Sequence, residues 1–306
     1  MNQTYLQTAR LLTQVAPLVF ADDTFALKGG TAINLFVRDM PRLSVDLDLL
    51  FPDHTLTRQQ ALAQINHGLQ KIMERLNKQG LYTHAPLAAE GETRIFVRRG
   101  AIEVKIEVNF VLRGTVLPVR RASVTSIASD VLMADLNIPV ASLEDLYGGK
   151  LVAALDRQHP RDLFDVMQLQ ENEGITPGIR RAFVVYLASH NRPVHEVLFP
   201  KLRDIGYEYT HNFDGMTREK VSLESLLTAR DYMINQLHNN LDNDERQFLI
   251  SLVKAEPEWQ LMGIEHLSQL PAIQWKLQNL EILRTSNAKK FAEQADTLVT
   301  QLATTR

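Results

Sequence analysis

The chain has 306 residues, 45% of them apolar and 23% charged, a length and composition that suit one large or two ordinary domains with a normal core. Its 33 Lys and Arg stand against 36 Asp and Glu, and the net charge of −3 excludes a strongly basic nucleic-acid footprint in the totals. Cysteine is absent, which excludes disulfides, thiol catalysis and zinc–thiolate sites, and with no signal peptide and no run near the roughly 20 apolar residues of a membrane span the expected compartment is the cytoplasm.

Residues 4–20 read as an amphipathic helix, with Leu6, Ala9, Leu12, Val15 and Val19 on one face. A short strand, Phe25 to Leu27, runs into Lys28-Gly29-Gly30-Thr31, and a helix over Ala32 to Val37 follows. Pro41 breaks the chain, and Val45 to Phe51 alternates as a strand does. Residues 58–79 form a long helix pattern, and Leu81 to Pro86 is extended. Arg94 to Arg98 and Ala101 to Leu112 read as a hairpin closed near Gly100. Beyond about residue 140 only helix patterns follow, at 142–156, 160–170, 177–189, 219–237, 243–254, 271–285 and 287–303. The expected class is α+β: a mixed sheet with helices over 1–140, then an all-helical region over 141–306, divided near 129–142 where Ser129 and Pro139 punctuate the chain.

Asp46-Leu47-Asp48 is the sharpest local feature. Residues i and i+2 of a strand share a face, so both carboxylates project together while Val45, Leu47 and Leu49 face the other way. Adjacent carboxylates repel unless a positive charge lies between them, and a divalent cation that prefers carboxylate and phosphate oxygens answers that need. Upstream, Gly29 and Gly30 let backbone approach a phosphate, the following helix start offers N–H groups, and Thr31 can cap the helix or donate to phosphate. In Ala101 to Leu112, Glu103, Lys105, Glu107 and Asn109 alternate with Val104, Ile106, Val108 and Phe110. Glu107 is the candidate third carboxylate, with Glu103 its rival. Arg94, Arg98, Arg99, Arg113, Arg120 and Arg121 form either a local basic groove or a set of solvated edge charges. His54 and His159 get no catalytic role, and Trp259 and Trp275 read as core.

Lys28-Gly29-Gly30-Thr31, followed by Arg42-Leu43-Ser44-Val45-Asp46-Leu47-Asp48, resembles the signature of the nucleotidyltransferase superfamily related to polymerase beta. More closely it resembles the AbiEii toxins of bacterial abortive-infection and toxin–antitoxin systems. Tyr147-Gly148-Gly149-Lys150 through Arg157, and Pro160-Arg161-Asp162-Leu163-Phe164-Asp165, are similar to that family's Lys helix and Arg-Asp-aromatic-Asp helix. The resemblance covers roughly residues 25–170. It implies that Lys28, Gly29, Gly30, Thr31, Arg42 and Ser44 handle the nucleotide with Lys150 and Arg157. It implies that Asp46, Asp48 and Glu107 bind Mg²⁺, with Mn²⁺ as a substitute, and that Asp162 completes the catalytic set with Lys150. The expected reaction moves a nucleoside monophosphate from an NTP to RNA, notably the tRNA 3′ end, with an antitoxin as partner. Transfer to a protein side chain, a non-catalytic nucleotide-binding module and a nucleotide-sugar glycosyltransferase are the alternatives. In a glycosyltransferase the Asp-x-Asp follows a long nucleotide-binding half, whereas here it falls by residue 48.

Overall fold

The computed structural model describes residues 3–86 and 92–305. Its contacts divide the chain into two compact units, residues 1–146 with 214–220, and residues 147–213 with 221–306.

The first unit opens with helix α1 (Gln3–Val19), then β1 (Ala26–Lys28), a short α2 (Gly29–Ala32) that continues as a π-helical turn (Ile33–Val37), and β2 (Asp46–Leu50). Helix α3 (Arg58–Lys78) follows, its start fixed by a reciprocal capping box between Thr57 and Gln60. Strands β3 (Tyr82–His84), β4 (Glu92–Arg99) and β5 (Ile102–Asn109) come next, with β4 and β5 forming the expected hairpin about Gly100. Strand β6 (Arg120–Ser123), helix α4 (Ser126–Leu132) and strand β7 (Asn137–Val140) complete the sheet. Ser129 thus lies inside a helix and Pro139 inside a strand, so the stretch read as punctuation is ordered sheet and helix.

Among the described residues, seven strands are ordered β3-β4-β5-β2-β1-β7-β6. The β2–β5 and β1–β7 pairs are parallel and the rest antiparallel, a mixed sheet. The alternation in β5 sends Val104, Ile106 and Val108 into the core, where Leu12, Val15 and Val19 of α1 are also buried. The charged residues of β5 fall on the opposite face.

Helix α5 (Leu143–Arg157) belongs to the second unit from Tyr147 on. The further helices of that unit are α6 (Pro160–Glu171), α7 (Pro177–Ala188), α8 (Val194–Leu198), α9 (Gly206–Asn212), α10 (Leu223–Asn240), α11 (Asn243–Val253), α12 (Pro271–Ser286) and α13 (Ala288–Ala303). Pro at the first helical position starts α6, α7 and α12. Helices α8 and α9 and two 3₁₀ turns (Trp259–Met262 and Leu267–Gln269) are additions to the sequence reading. The helix expected from residue 219 starts later, because Ser222 caps it by accepting from Ser225 N–H. Trp275 is 48% exposed, a correction to its reading as core. No described helix is long and apolar enough to cross a membrane.

Candidate active site

Strand register assembles a charged face at the middle of the sheet. Asp48 lies opposite Lys28 on β1 and opposite Glu107 on β5. Asp46, two residues back on the same face, lies opposite Lys105. Lys105 Nζ stands 3.5 Å from Asp46 Oδ2 and 3.3 Å from Glu107 Oε1, and Arg94 Nε donates to Glu107 Oε1 at 2.8 Å. Of the two rival glutamates, Glu107 is in register with Asp48, while Glu103 sits nearer the start of β5 and is paired with Arg98. Burial pulls the Lys28 ammonium below its ordinary pKa, and the carboxylates of Asp48 and Glu107 pull it back up.

The glycine turn is packed directly on this face. Gly29 has φ +76°, a left-handed conformation natural to glycine, and an added Cβ there would lie 2.0 Å from Asp48 Oδ2. At Gly30 a Cβ would lie 2.7 Å from an Arg42 guanidinium nitrogen and 3.1 Å from Ser44 Oγ. Arg42 is buried and donates to the Leu43 carbonyl at 3.0 Å, and its backbone bridges to Thr217. Lys28, Gly29, Gly30, Arg42, Ser44, Asp46, Asp48 and Glu107 are therefore gathered within the first unit.

Thr31 behaves differently from the sequence reading. It does not cap α2, whose N-cap is Lys28 with no side-chain cap bond. Its side chain is 0% exposed. Its hydroxyl donates to the Asp46 carbonyl at 2.5 Å and lies 3.0 Å from Ser44 Oγ. Thr31 thus ties the glycine turn to β2. Asn34, three residues on, donates to the Gly30 carbonyl at 2.9 Å. Lys105 is the site-face residue that the sequence reading left without a role; its signal was the Glu-Lys-Glu alternation of β5.

The donor set fits a hard divalent cation, since Asp46 and Asp48 offer oxygen ligands from one strand face. Among the described residues, no group of three or more acidic or histidine side chains is gathered closely enough to hold a metal by itself. Such a face suits an ion that takes part of its shell from the substrate's phosphates, the usual habit of Mg²⁺.

Lys150, Arg157 and Asp162 belong to the second unit and form a network there. Lys150 is 8% exposed and bonds Asp162 at 2.9 Å and Asp165 at 3.0 Å. Arg157, 61% exposed at its side chain, bonds the other Asp162 oxygen at 2.8 Å. Burial raises the Asp162 pKa, but the charges of Lys150 and Arg157 together hold it below its ordinary value. His159 caps α6 by accepting from Arg161 N–H at 3.1 Å, a structural role.

The arginines considered as a groove are mostly engaged locally. Arg94 and Arg98 pair with Glu107 and Glu103, Arg99 with Gln14, and Arg121 with Asp23 and Asn137. Arg120 is exposed on β6, and Arg113 is buried.

A mixed sheet that sets two strand-mate aspartates beside a glycine turn defines the class, a nucleotidyltransferase. The sequence profile described as "Nucleotidyl transferase AbiEii toxin, Type IV TA system" matches residues 10–279, and the chain belongs to that family. It is therefore a nucleotidyltransferase toxin of a type IV toxin–antitoxin system, which implies a nucleotide substrate and an antitoxin. Among solved structures, MenT4, a nucleotidyltransferase toxin from Mycobacterium tuberculosis H37Rv, shares the fold with a TM-score of 0.58 at 17% identity, over 90% of this chain and 94% of that one. No curated protein matches the sequence.

Proposed function

We propose that this toxin transfers a nucleoside monophosphate from an NTP to the 3′ end of tRNA, with Mg²⁺ as the working ion and Mn²⁺ able to replace it. The observation that carries the reading is the register that sets Asp48 between Lys28 and Glu107, with Gly29 packed against it. Asp46 and Asp48 would hold the cation. When bound, it neutralises phosphate charge and polarises the α-phosphorus. The backbone at Gly29 and Gly30 approaches the phosphates, with the Arg42 guanidinium behind Gly30 adding positive charge. Glu107 holds Lys105 and Arg94 in place on this face.

The acceptor hydroxyl attacks the α-phosphorus. A new P–O bond forms, the bond to the β-phosphate bridge breaks, and pyrophosphate leaves. The hydroxyl proton passes to a carboxylate on this face or to water. The tRNA acceptor rests on the family resemblance, and the cytoplasm is the compartment where both substrates are found.

The test is incubation with total tRNA, Mg²⁺ and each α-labelled NTP in turn, with Asp48→Asn as control. Label on tRNA from one NTP, absent with Asp48→Asn, is the expected outcome. Label on protein in a whole lysate and none on tRNA would replace the acceptor. Undiminished transfer by Asp48→Asn would overturn the site itself.

A further inference from the structure

The turn after β5 buries a guanidinium with two nitrogens that the described residues do not pair. Arg113 is 5% exposed, yet its Nε and Nη1 have no hydrogen-bond partner among the described residues. The backbone around it is firmly anchored. Asn109 Oδ1 accepts from the N–H groups of Val111 and Leu112, each at 2.8 Å. Gly114 N–H donates to the Phe51 carbonyl at 2.9 Å. The Asp145 carboxylate accepts from Val116 and Leu117 N–H at 2.7 and 3.0 Å. The main chain therefore positions Arg113, with no bond from its Nε or Nη1.

An arginine cannot shed its proton, so a guanidinium with two buried, unbonded nitrogens opposes folding. Its charged neighbours deepen the problem. Arg58 repels it and Asp53 attracts it, and burial with that repulsion keeps its pKa below the ordinary value. Asp53 is already committed, its Oδ1 accepting from Thr55 N–H at 2.8 Å and Thr55 Oγ1 at 2.7 Å. Arg58 is exposed and opens α3, whose first turn carries no acid to balance the helix dipole. Two guanidiniums thus meet at this turn, where the carboxylate that attracts Arg113 has one oxygen engaged by its own turn.

We infer that Arg113 and Arg58 form a phosphate-binding subsite separate from the catalytic face, entered from the Arg58 side. A phosphate oxyanion supplies the acceptors and the negative charge that this cluster lacks. The subsite lies past the far end of β2. Phe51, to which the Arg113 turn is tied, is three residues beyond Asp48, roughly 10 Å along the strand. The glycine turn faces the other end, since β1 runs antiparallel with Lys28 opposite Asp48 and Ala26 opposite Leu50. The phosphate is either free inorganic phosphate or a phosphodiester of the acceptor strand; the second source rests on the RNA reading above.

The experiment follows thermal unfolding of the full chain in inorganic phosphate and in chloride at matched ionic strength. Phosphate should raise the midpoint of the wild type and of Asp48→Asn alike, by about 2 °C or more. Arg113→Met should lose that rise, and in chloride it should be at least as stable as the wild type, because the unpaired buried charge is gone. Arg58→Ala changes an exposed side chain, so it folds, and its rise should shrink too. Should Arg113→Met fail to fold, Arg58→Ala decides alone. No rise in the wild type, or a full rise in Arg113→Met or Arg58→Ala, would overturn the subsite. So would equal destabilisation of Arg113→Met in both buffers. Salt-dependent tRNA binding then identifies the source. Weaker binding by Arg58→Ala, with a log–log salt slope lower by about one, assigns a phosphodiester. Unchanged tRNA binding with a lost phosphate response assigns inorganic phosphate. A wild type that answers to phosphate but binds no tRNA removes the RNA reading and leaves the subsite standing.

Discussion

Gly29 meets two demands at once. Its φ of +76° is strained for any side chain, and a Cβ would overlap Asp48 Oδ2 at 2.0 Å. Gly29→Ala should therefore push the Asp48 carboxylate off the shared face. A displacement of about 1 Å at a reacting group costs roughly 100-fold in rate, so turnover should fall by at least that factor while circular dichroism stays near wild type. Wild-type turnover in Gly29→Ala would show that Asp48 does not act from this position. The local sequence was readable here, because a glycine pair between strand and helix and an Asp-x-Asp strand each have a one-dimensional signature. Thr31 was not readable. Whether its hydroxyl meets solvent or the Asp46 carbonyl depends on β2 folding beside it, a contact 15 residues away in the chain. Lys105 was hidden for the same reason: its place between Asp46 and Glu107 exists only once β2 and β5 are in register.

At the scale of elements, the two glycines of the Lys helix have opposite reasons to be there. A Cβ at Gly148 would lie 2.8 Å from the backbone of Ala182 and Phe183 on α7. One at Gly149 would make ordinary contact, 3.7 Å from the Tyr186 ring. Gly148→Ala should force α5 from α7 and cost about 2 kcal/mol. Gly149→Ala should be neutral or stabilise by up to about 1 kcal/mol, the gain in helix propensity. Denaturant unfolding of the pair checks this, and equal effects would refute the close α5–α7 approach. The long periodic helices were legible because their apolar stripes repeat over several turns. Strands β6 and β7 were not. Arg120-Arg121-Ala122-Ser123 has no alternation to read, and Pro139 argues against a strand, since proline cannot donate to a ladder. What makes β7 a strand is its pairing with β6 along four residues and its parallel contact to β1 at Leu27 and Val140. Helix α8, only five residues long, owes its existence to packing too, with Val194, Val197 and Leu198 buried.

Over the whole molecule, the response to acid should be uneven, because three histidines of the second unit have lowered pKa values. Burial is the first cause at His190, His195 and His238, and it holds each below the ordinary 6.5. Asp156 and Glu196 oppose the shift at His190 and His195, while Lys276 adds to it. At His238 the bond to the Leu198 carbonyl opposes it and Arg246 adds to it. With folded values below unfolded ones, the unfolded chain binds more protons in this range. The stability these groups confer is full above about pH 6.5 and is lost as pH falls from there through their folded values. Lys276, depressed to about 8 by burial, has the same sign but acts only between 10.5 and about 8. Asp162, held below 3.8, contributes loss only under that pH. Glu245 is raised by burial and works in the opposite direction. Both tryptophans, Trp259 and Trp275, also lie in this unit, so their fluorescence reports on it alone. Urea unfolding followed by that signal should show stability falling as pH drops below about 6.5, and the triple His190→Gln, His195→Gln, His238→Gln variant should lose most of the slope. An unchanged slope in the triple variant would move the acid response to groups outside these three.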